Sequence, residues 1–161
     1  MDKMRWHCAA WVGGVIILAL CAAGCRTPPL APAFPADAVE FQGHRYKVFE
    51  EAGSWRQAKK RCEEMGGYLS CVETAAEQEF ICELADGRYL SLGASDEARE
   101  DAWCWVNGAS FNYACWADGQ PNNYGGGEDF LATYDGGDWV DVADEGDGFW
   151  MPTGFICEWD Q

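Results

Sequence analysis

The segment Ser54-Trp55-Arg56-Gln57-Ala58-Lys59-Lys60-Arg61-Cys62-Glu63-Glu64-Met65-Gly66-Gly67-Tyr68-Leu69 decides the architecture. Ser54 followed three residues later by Gln57 is a capping box, in which each side chain satisfies a backbone N–H of the other. Trp55, Ala58 and Cys62 recur at helical spacing on one face. Gly66-Gly67 stops the helix, and Tyr68 to Val72 follows as a short strand.

Outward from this unit the pattern continues. Tyr46-Lys47-Val48-Phe49 alternates like a strand. Thr74 and Glu77 form a second capping box, and the next helix carries Phe80, Ile81 and Leu84 inward before ending at Gly87. Tyr89 to Leu92 is apolar, is bounded by Gly93, and reads as a buried strand. Beyond Gly93 the periodicity fades. Gly and Asp become dense, and Trp103, Trp105, Trp116 and Trp139 lie among turn residues. Gly154 to Trp159 restores a strand. Two helices early, short strands late and an irregular insert of about thirty residues predict an α+β fold, with two helices, short antiparallel sheets and a long functional loop region, over residues 39–161.

The first residues stand apart. Lys3 and Arg5 precede the apolar run Ala9 to Leu20, too short for a spanning helix, so residues 1–24 read as a signal peptide. Ala22-Ala23-Gly24-Cys25 resembles a bacterial lipobox, with Ala22 where Leu is usual. That resemblance implies lipidation at Cys25, a lipid anchor to the membrane, and display on a bacterial envelope. Residues 25–38 hold four of the six prolines, Pro28, Pro29, Pro32 and Pro35, and form a semi-rigid spacer.

Composition narrows the partners. The chain has 161 residues, a formal charge of −16, nine Trp and 48% hydrophobic residues, ample for a packed core. So negative a chain is a poor ligand for nucleic acid. From Asp96 onward there are fifteen acidic residues and one basic residue, Arg99. Bound hard cations would offset that repulsion. Six cysteines, Cys62, Cys71, Cys82, Cys104, Cys115 and Cys157, lie beyond the export segment, and an even number predicts three disulfides. Cys104 and Cys115 flank the turn signal Asn107-Gly108, so we pair them. Free buried thiols are the alternative.

These landmarks, in this order, resemble the C-type lectin-like domain. The residues that carry the resemblance are Trp55-x-x-Ala58-x-x-x-Cys62 with Gly66-Gly67-x-Leu69; Leu90-Ser91-Leu92-Gly93, where Ser91 departs from the family's Trp-Ile-Gly-Leu; Trp103-x-Trp105, Tyr113 and Trp116; and Gln120-Pro121-Asn122, Glu128-Asp129, Trp139-x-Asp141 and Phe155-Ile156-Cys157-Glu158. The resemblance covers roughly residues 41–159. It implies a Cys62–Cys157 bridge, which, with Cys104 paired to Cys115, leaves Cys71 with Cys82. Closing the long loop between Cys62 and Cys157 contributes about 4–5 kcal/mol in the chain-entropy model.

The resemblance also implies two cation positions. At the sugar-type site the ligands match Gln120, Asn122, Glu128 and Asp141, but the fifth position is Val140, which has no oxygen. Ca²⁺ takes six to eight oxygens, so both calcium and sugar are expected to be weakened there. An auxiliary calcium site matches Asp96, Glu100, Asn123, Glu128 and Asp129 and carries more negative charge. Tyr124 and Trp139 are candidate stacking surfaces for a pyranose ring. Asp144-Glu145-Gly146-Asp147 reads as a solvated turn.

No catalytic constellation assembles. His44 is the only His beyond the export segment and lies outside the loop region, so no nucleophile–His pair forms. Gly125-Gly126-Gly127 lacks the Lys-Ser/Thr of a phosphate loop. Glu128 and Asp141 could in principle hydrolyse a glycoside, but cation ligation explains them better. The expected function is calcium-assisted glycan binding. The alternative is a lectin-like domain that binds a surface protein, or has a structural role, without sugar.

Overall fold

The spacing of Ser54 and Gln57 does what it predicts. Ser54 Oγ accepts from the Gln57 N–H at 3.2 Å, and the Ser54 N–H donates to Gln57 Oε1 at 3.1 Å. The computed structural model describes residues 34–145 and 151–161. The signal peptide, Cys25, most of the proline-rich spacer and Asp147 lie outside the described residues. Chain order is β1 (Val39–Phe41), β2 (His44–Phe49), α1 (Trp55–Glu64), β3 (Tyr68–Leu69), α2 (Ala75–Ala85), β4 (Leu90–Ser95), β5 (Cys104–Trp105), β6 (Phe130–Tyr134), β7 (Asp138–Val142) and β8 (Gly154–Asp160). Among the described residues, no helix is long and apolar enough to cross a membrane.

The strands form one sheet in the order β1-β2-β8-β4-β6-β7, with β3 added on β8 and β5 on β4. Where short antiparallel sheets are expected, the sheet is mixed, because β4 and β8 run parallel through Leu90↔Gly154 and Ser91↔Phe155. β6 and β7 form a hairpin inside the stretch expected to be irregular, with Ala132 opposite Val140 and Leu131 opposite Asp141. The second capping box is half realised. Thr74 Oγ1 accepts from the Glu77 N–H, but the Glu77 carboxylate returns to the N–H of Glu73 instead of Thr74.

The two faces of the sheet build two packed cores. Period-two alternation along β8 sends Phe155, Cys157 and Trp159 toward α1, with Trp55, Ala58 and Cys62, and sends Ile156 to the other face with Ile81 of α2. Trp55 also donates its indole N–H to the Leu92 carbonyl at 2.6 Å, which fixes α1 on β4. Gly93 is required where β4 passes β3. A Cβ there would sit 2.2 Å from the Leu69 carbonyl oxygen. Cys62 on α1 and Cys157 on β8 are both fully buried in the same core.

Glu158 is the unusual acid of the core. It is 2% exposed, and its carboxylate accepts from Tyr68 Oη at 2.9 Å and the Cys71 N–H at 2.9 Å, with His44 Nδ1 3.0 Å away. Burial outweighs these donors and pushes its pKa up to about 7. The folded state therefore holds this proton more tightly than the unfolded chain does. Its contribution to stability is fully present below the ordinary glutamate range and is lost as pH rises through about 7. We expect unfolding free energy to fall by roughly 2–3 kcal/mol across that window. Denaturant titrations of Glu158→Gln, from acid to mildly alkaline pH, should show that slope removed.

Candidate functional site

Between β5 and β6 the chain turns back along β7, paired to it through Cys115, Trp116 and Ala117, and one carboxylate then fastens the turn that follows. Asp141, on β7, is 3% exposed. Its two oxygens accept from the Asn122 N–H, at 3.0 Å each, and one of them accepts from the Asn123 N–H at 2.6 Å. The Gln120–Pro121 peptide is cis. The side chains that flank the proline meet, with Asn122 Nδ2 donating to Gln120 Oε1 at 2.9 Å.

Glu128 closes the other end of the loop. Its Oε2 accepts from the Tyr124 N–H at 2.8 Å, and its own N–H donates to Asn123 Oδ1 at 3.2 Å. Asn123 has a positive φ of 43°, a conformation asparagine tolerates better than most residues, and this lets one side chain serve both ends of the turn. Burial, and then the nearby Asp141 charge, raise the Glu128 carboxyl above its ordinary range.

Gln120, Asn122, Glu128 and Asp141 line a single pocket of about 490 Å³. Val140, Tyr124, Tyr89 and Tyr134 complete its wall. Tyr124 is 82% exposed and offers a free ring face, as expected. Trp139 does not. It is 0% exposed and is ringed edge-on by Trp105, Tyr113 and Trp116, so its expected stacking role is corrected to a core role. Alternation along β7 turns Trp139 into the core that holds Leu131 and Ile81 and turns Val140 to the other face. Asp141 Oδ reaches the loop, while Trp139 packs under it and donates to Gln78 Oε1 at 2.8 Å.

Tyr89 and Tyr134 are pocket residues that sequence reasoning missed. They meet edge to face, with ring centroids 5.8 Å apart. Tyr89 reads as the start of a buried strand. Tyr134 immediately precedes the Asp135-Gly136-Gly137 turn, and that turn signal between apolar runs is what could have revealed both the hairpin and the residue.

The auxiliary cluster lies next to this pocket. Asp96 is 4% exposed, and its Oδ2 accepts from the Asp101 N–H at 2.9 Å. Burial raises its carboxyl, and the charges of Glu100 and Asp129 add to the effect, which places those three acids within electrostatic reach of one another. Asn123 Nδ2 donates to Glu100 Oε2 at 2.6 Å and so links this cluster to the loop. The donors are oxygens, and several are charged, which is the chemistry of a hard-cation site. Elsewhere among the described residues, His44, Glu158 and Asp160 bring three donor atoms within 4.8 Å, a grouping the sequence reading did not anticipate.

The family model described as the Lectin C-type domain matches residues 51–158. C-type lectin domain family 4 member M of Nomascus concolor is 30% identical over 121 residues, covering 73% of this chain and 30% of that protein. Hepatic lectin of Gallus gallus is 34% identical over 104 residues, covering 63% of this chain and 50% of that protein. The chain thus spans half or less of these relatives. The cow CD23 carbohydrate-recognition domain, solved in the presence of a GlcNAc2Man3 oligosaccharide, superposes with a TM-score of 0.73 at 28% identity over 79% of this chain and 95% of that one. These relatives are animal lectins, and they overturn the expected placement on a bacterial envelope as a lipoprotein.

Proposed function

We propose that this chain, which belongs to the C-type lectin domain family, binds a glycan in the pocket formed by Gln120, Asn122, Glu128 and Asp141, with calcium assisting. The observation that carries this reading is the gathering of those four residues with three tyrosines around one cavity of about 490 Å³. Their carboxylate and amide groups match the hydroxyls of a sugar. Tyr124 supplies an aromatic face for the C–H side of the ring. Val140 adds an apolar wall where an amide would have made a hydrogen bond.

The four oxygen-bearing side chains suit a hard cation in kind, and with two carboxylates among them they carry two charges. They fall short of six to eight ligands, so coordinated water or sugar hydroxyls complete the set. Asp96, Glu100, Asn123, Glu128 and Asp129 offer the auxiliary position, with the larger negative charge. In calorimetry with Ca²⁺, Asp129→Asn is expected to weaken binding about tenfold or more, since a charged ligand is replaced by a neutral one. Unchanged affinity would remove this site from the account.

A glycan array with and without EDTA tests the function. Signals abolished by EDTA support calcium-assisted binding. The second reading, a lectin-like domain that takes a surface protein without sugar, is favoured by Val140 and by the engagement of Asp141 with the loop N–H groups. A blank array together with a recovered protein ligand supports that reading instead. Val140→Asn should raise sugar affinity about tenfold, the worth of one good hydrogen bond. A fall in affinity would show that the apolar wall itself is what the ligand uses.

A further inference from the structure

The turn between β6 and β7 brings together two cysteines that lie far apart in the chain. Cys82 sits on α2 one turn after Gln78, and Gln78 Nε2 donates both to Cys82 Sγ at 3.2 Å and to the Gly137 carbonyl at 2.7 Å. The Gly137 backbone passes so close that a Cβ on it would lie 2.2 Å from Cys82 Sγ. Cys115 arrives from the loop side. Its Sγ is 3.7 Å from Asp138 Oδ1, and its carbonyl accepts from the Trp139 N–H at 2.7 Å. The two thiols therefore contact consecutive residues at the start of β7. They also feel each other electrostatically, since the thiol of Cys82 is raised first by burial and further by the charge of Cys115.

The other cysteines have different surroundings. Cys71 is 2% exposed, and its thiol lies against the Leu69 carbonyl at 3.5 Å. Cys104 is exposed on β5, with its thiol toward the Ala102 carbonyl. We propose that Cys82 and Cys115 form a disulfide, in place of the Cys71–Cys82 and Cys104–Cys115 pairs that sequence spacing favours. The bridge ties α2 to the loop before Trp116 and clamps the start of β7, the strand that carries Val140 and Asp141.

With a small disulfide such as oxidised glutathione, the chemistry balances. One protein thiolate attacks a glutathione sulfur, and one glutathione thiolate leaves. The second protein thiolate then attacks the mixed disulfide and displaces the other glutathione thiolate. Two protein thiols are oxidised, one glutathione disulfide is reduced, and the two protons pass to the departing glutathiones.

The test uses the full chain, folded and equilibrated with oxidised glutathione, alkylated, digested without reduction and mapped by mass spectrometry. The expected result is a Cys82–Cys115 linked peptide as the dominant product, with Cys104 alkylated. Cys82→Ser should leave Cys115 alkylated rather than move it to Cys104. Dominant Cys104–Cys115 or Cys71–Cys82 peptides would overturn the proposal, as would full alkylation of Cys82 and Cys115 in the wild type under conditions that join Cys62 to Cys157. Mapping the wild type directly keeps the result decisive even if a variant does not fold.

Discussion

Replacing Trp139 with alanine is expected to cost about 3–5 kcal/mol and to lower the melting temperature by many degrees. The side chain is fully buried and contacts the rings of Trp105, Phe111, Tyr113 and Trp116 at centroid distances of 5.7–6.0 Å. Truncation removes this whole aromatic cluster's centre and leaves a cavity larger than its neighbours can fill. It also strands Gln78 Oε1, which accepts the indole N–H. Trp139→Phe keeps most of the volume and should lose roughly half as much. Chemical denaturation monitored by near-ultraviolet circular dichroism reads both. A stability within 1 kcal/mol of wild type for the alanine variant would contradict the core assignment and return Trp139 to the surface.

Asp141→Ala is the second large effect, and it acts on binding as well as on order. Two backbone N–H groups, those of Asn122 and Asn123, donate to this carboxylate, the first shared between its two oxygens. Without it those groups lose their acceptor, which costs about 2–3 kcal/mol in the loop that shapes the pocket. Glycan affinity should fall about a hundredfold or more, because the same loss removes a direct ligand and the scaffold for Gln120 and Asn122. Asp141→Asn separates the two roles. It retains one carbonyl acceptor for the loop but removes the charge, so it should recover most of the stability and little of the binding. Full binding by Asp141→Asn would mean that the carboxylate serves the fold alone.

Much of the fold was legible because local rules and tertiary demands agree in the first half of the chain. Ser54, Gln57 and Gly66-Gly67 mark helix ends by chemistry that does not depend on neighbours. The β6–β7 hairpin was hidden for the opposite reason. Phe130, Leu131, Ala132 and Thr133 are buried on both faces of the sheet, so no polar alternation betrays a strand. The parallel pairing of β4 with β8 depends on contacts across the whole domain, which no local pattern encodes.

The site divided along the same line. Gln120, Asn122, Glu128 and Asp141 were identifiable through the resemblance of their motifs to the C-type lectin-like domain, and the structure draws them to one pocket. Trp139 was ambiguous because an aromatic residue beside an acidic loop serves equally as a platform or as a core; only the tertiary packing of Trp105, Tyr113 and Trp116 around it decides between them. Tyr89 and Tyr134 carry no motif and enter the pocket through tertiary packing. The approach of Cys82 to Cys115 was hidden for a related reason. The Asn107-Gly108 turn signal gives proximity along the chain, whereas Cys82 and Cys115 come together through the Gly136-Gly137 turn of a hairpin that is not visible locally.

The claim that the Gln120–Asp141 pocket binds carbohydrate is tested most directly by titrating the wild type and the Glu128→Gln chain against an array of glycans, each with calcium and with EDTA. Selective wild-type binding is expected, weakened by EDTA and lost in Glu128→Gln while that chain remains folded. Equal glycan signals from both chains would contradict it, and so would a wild type that binds none.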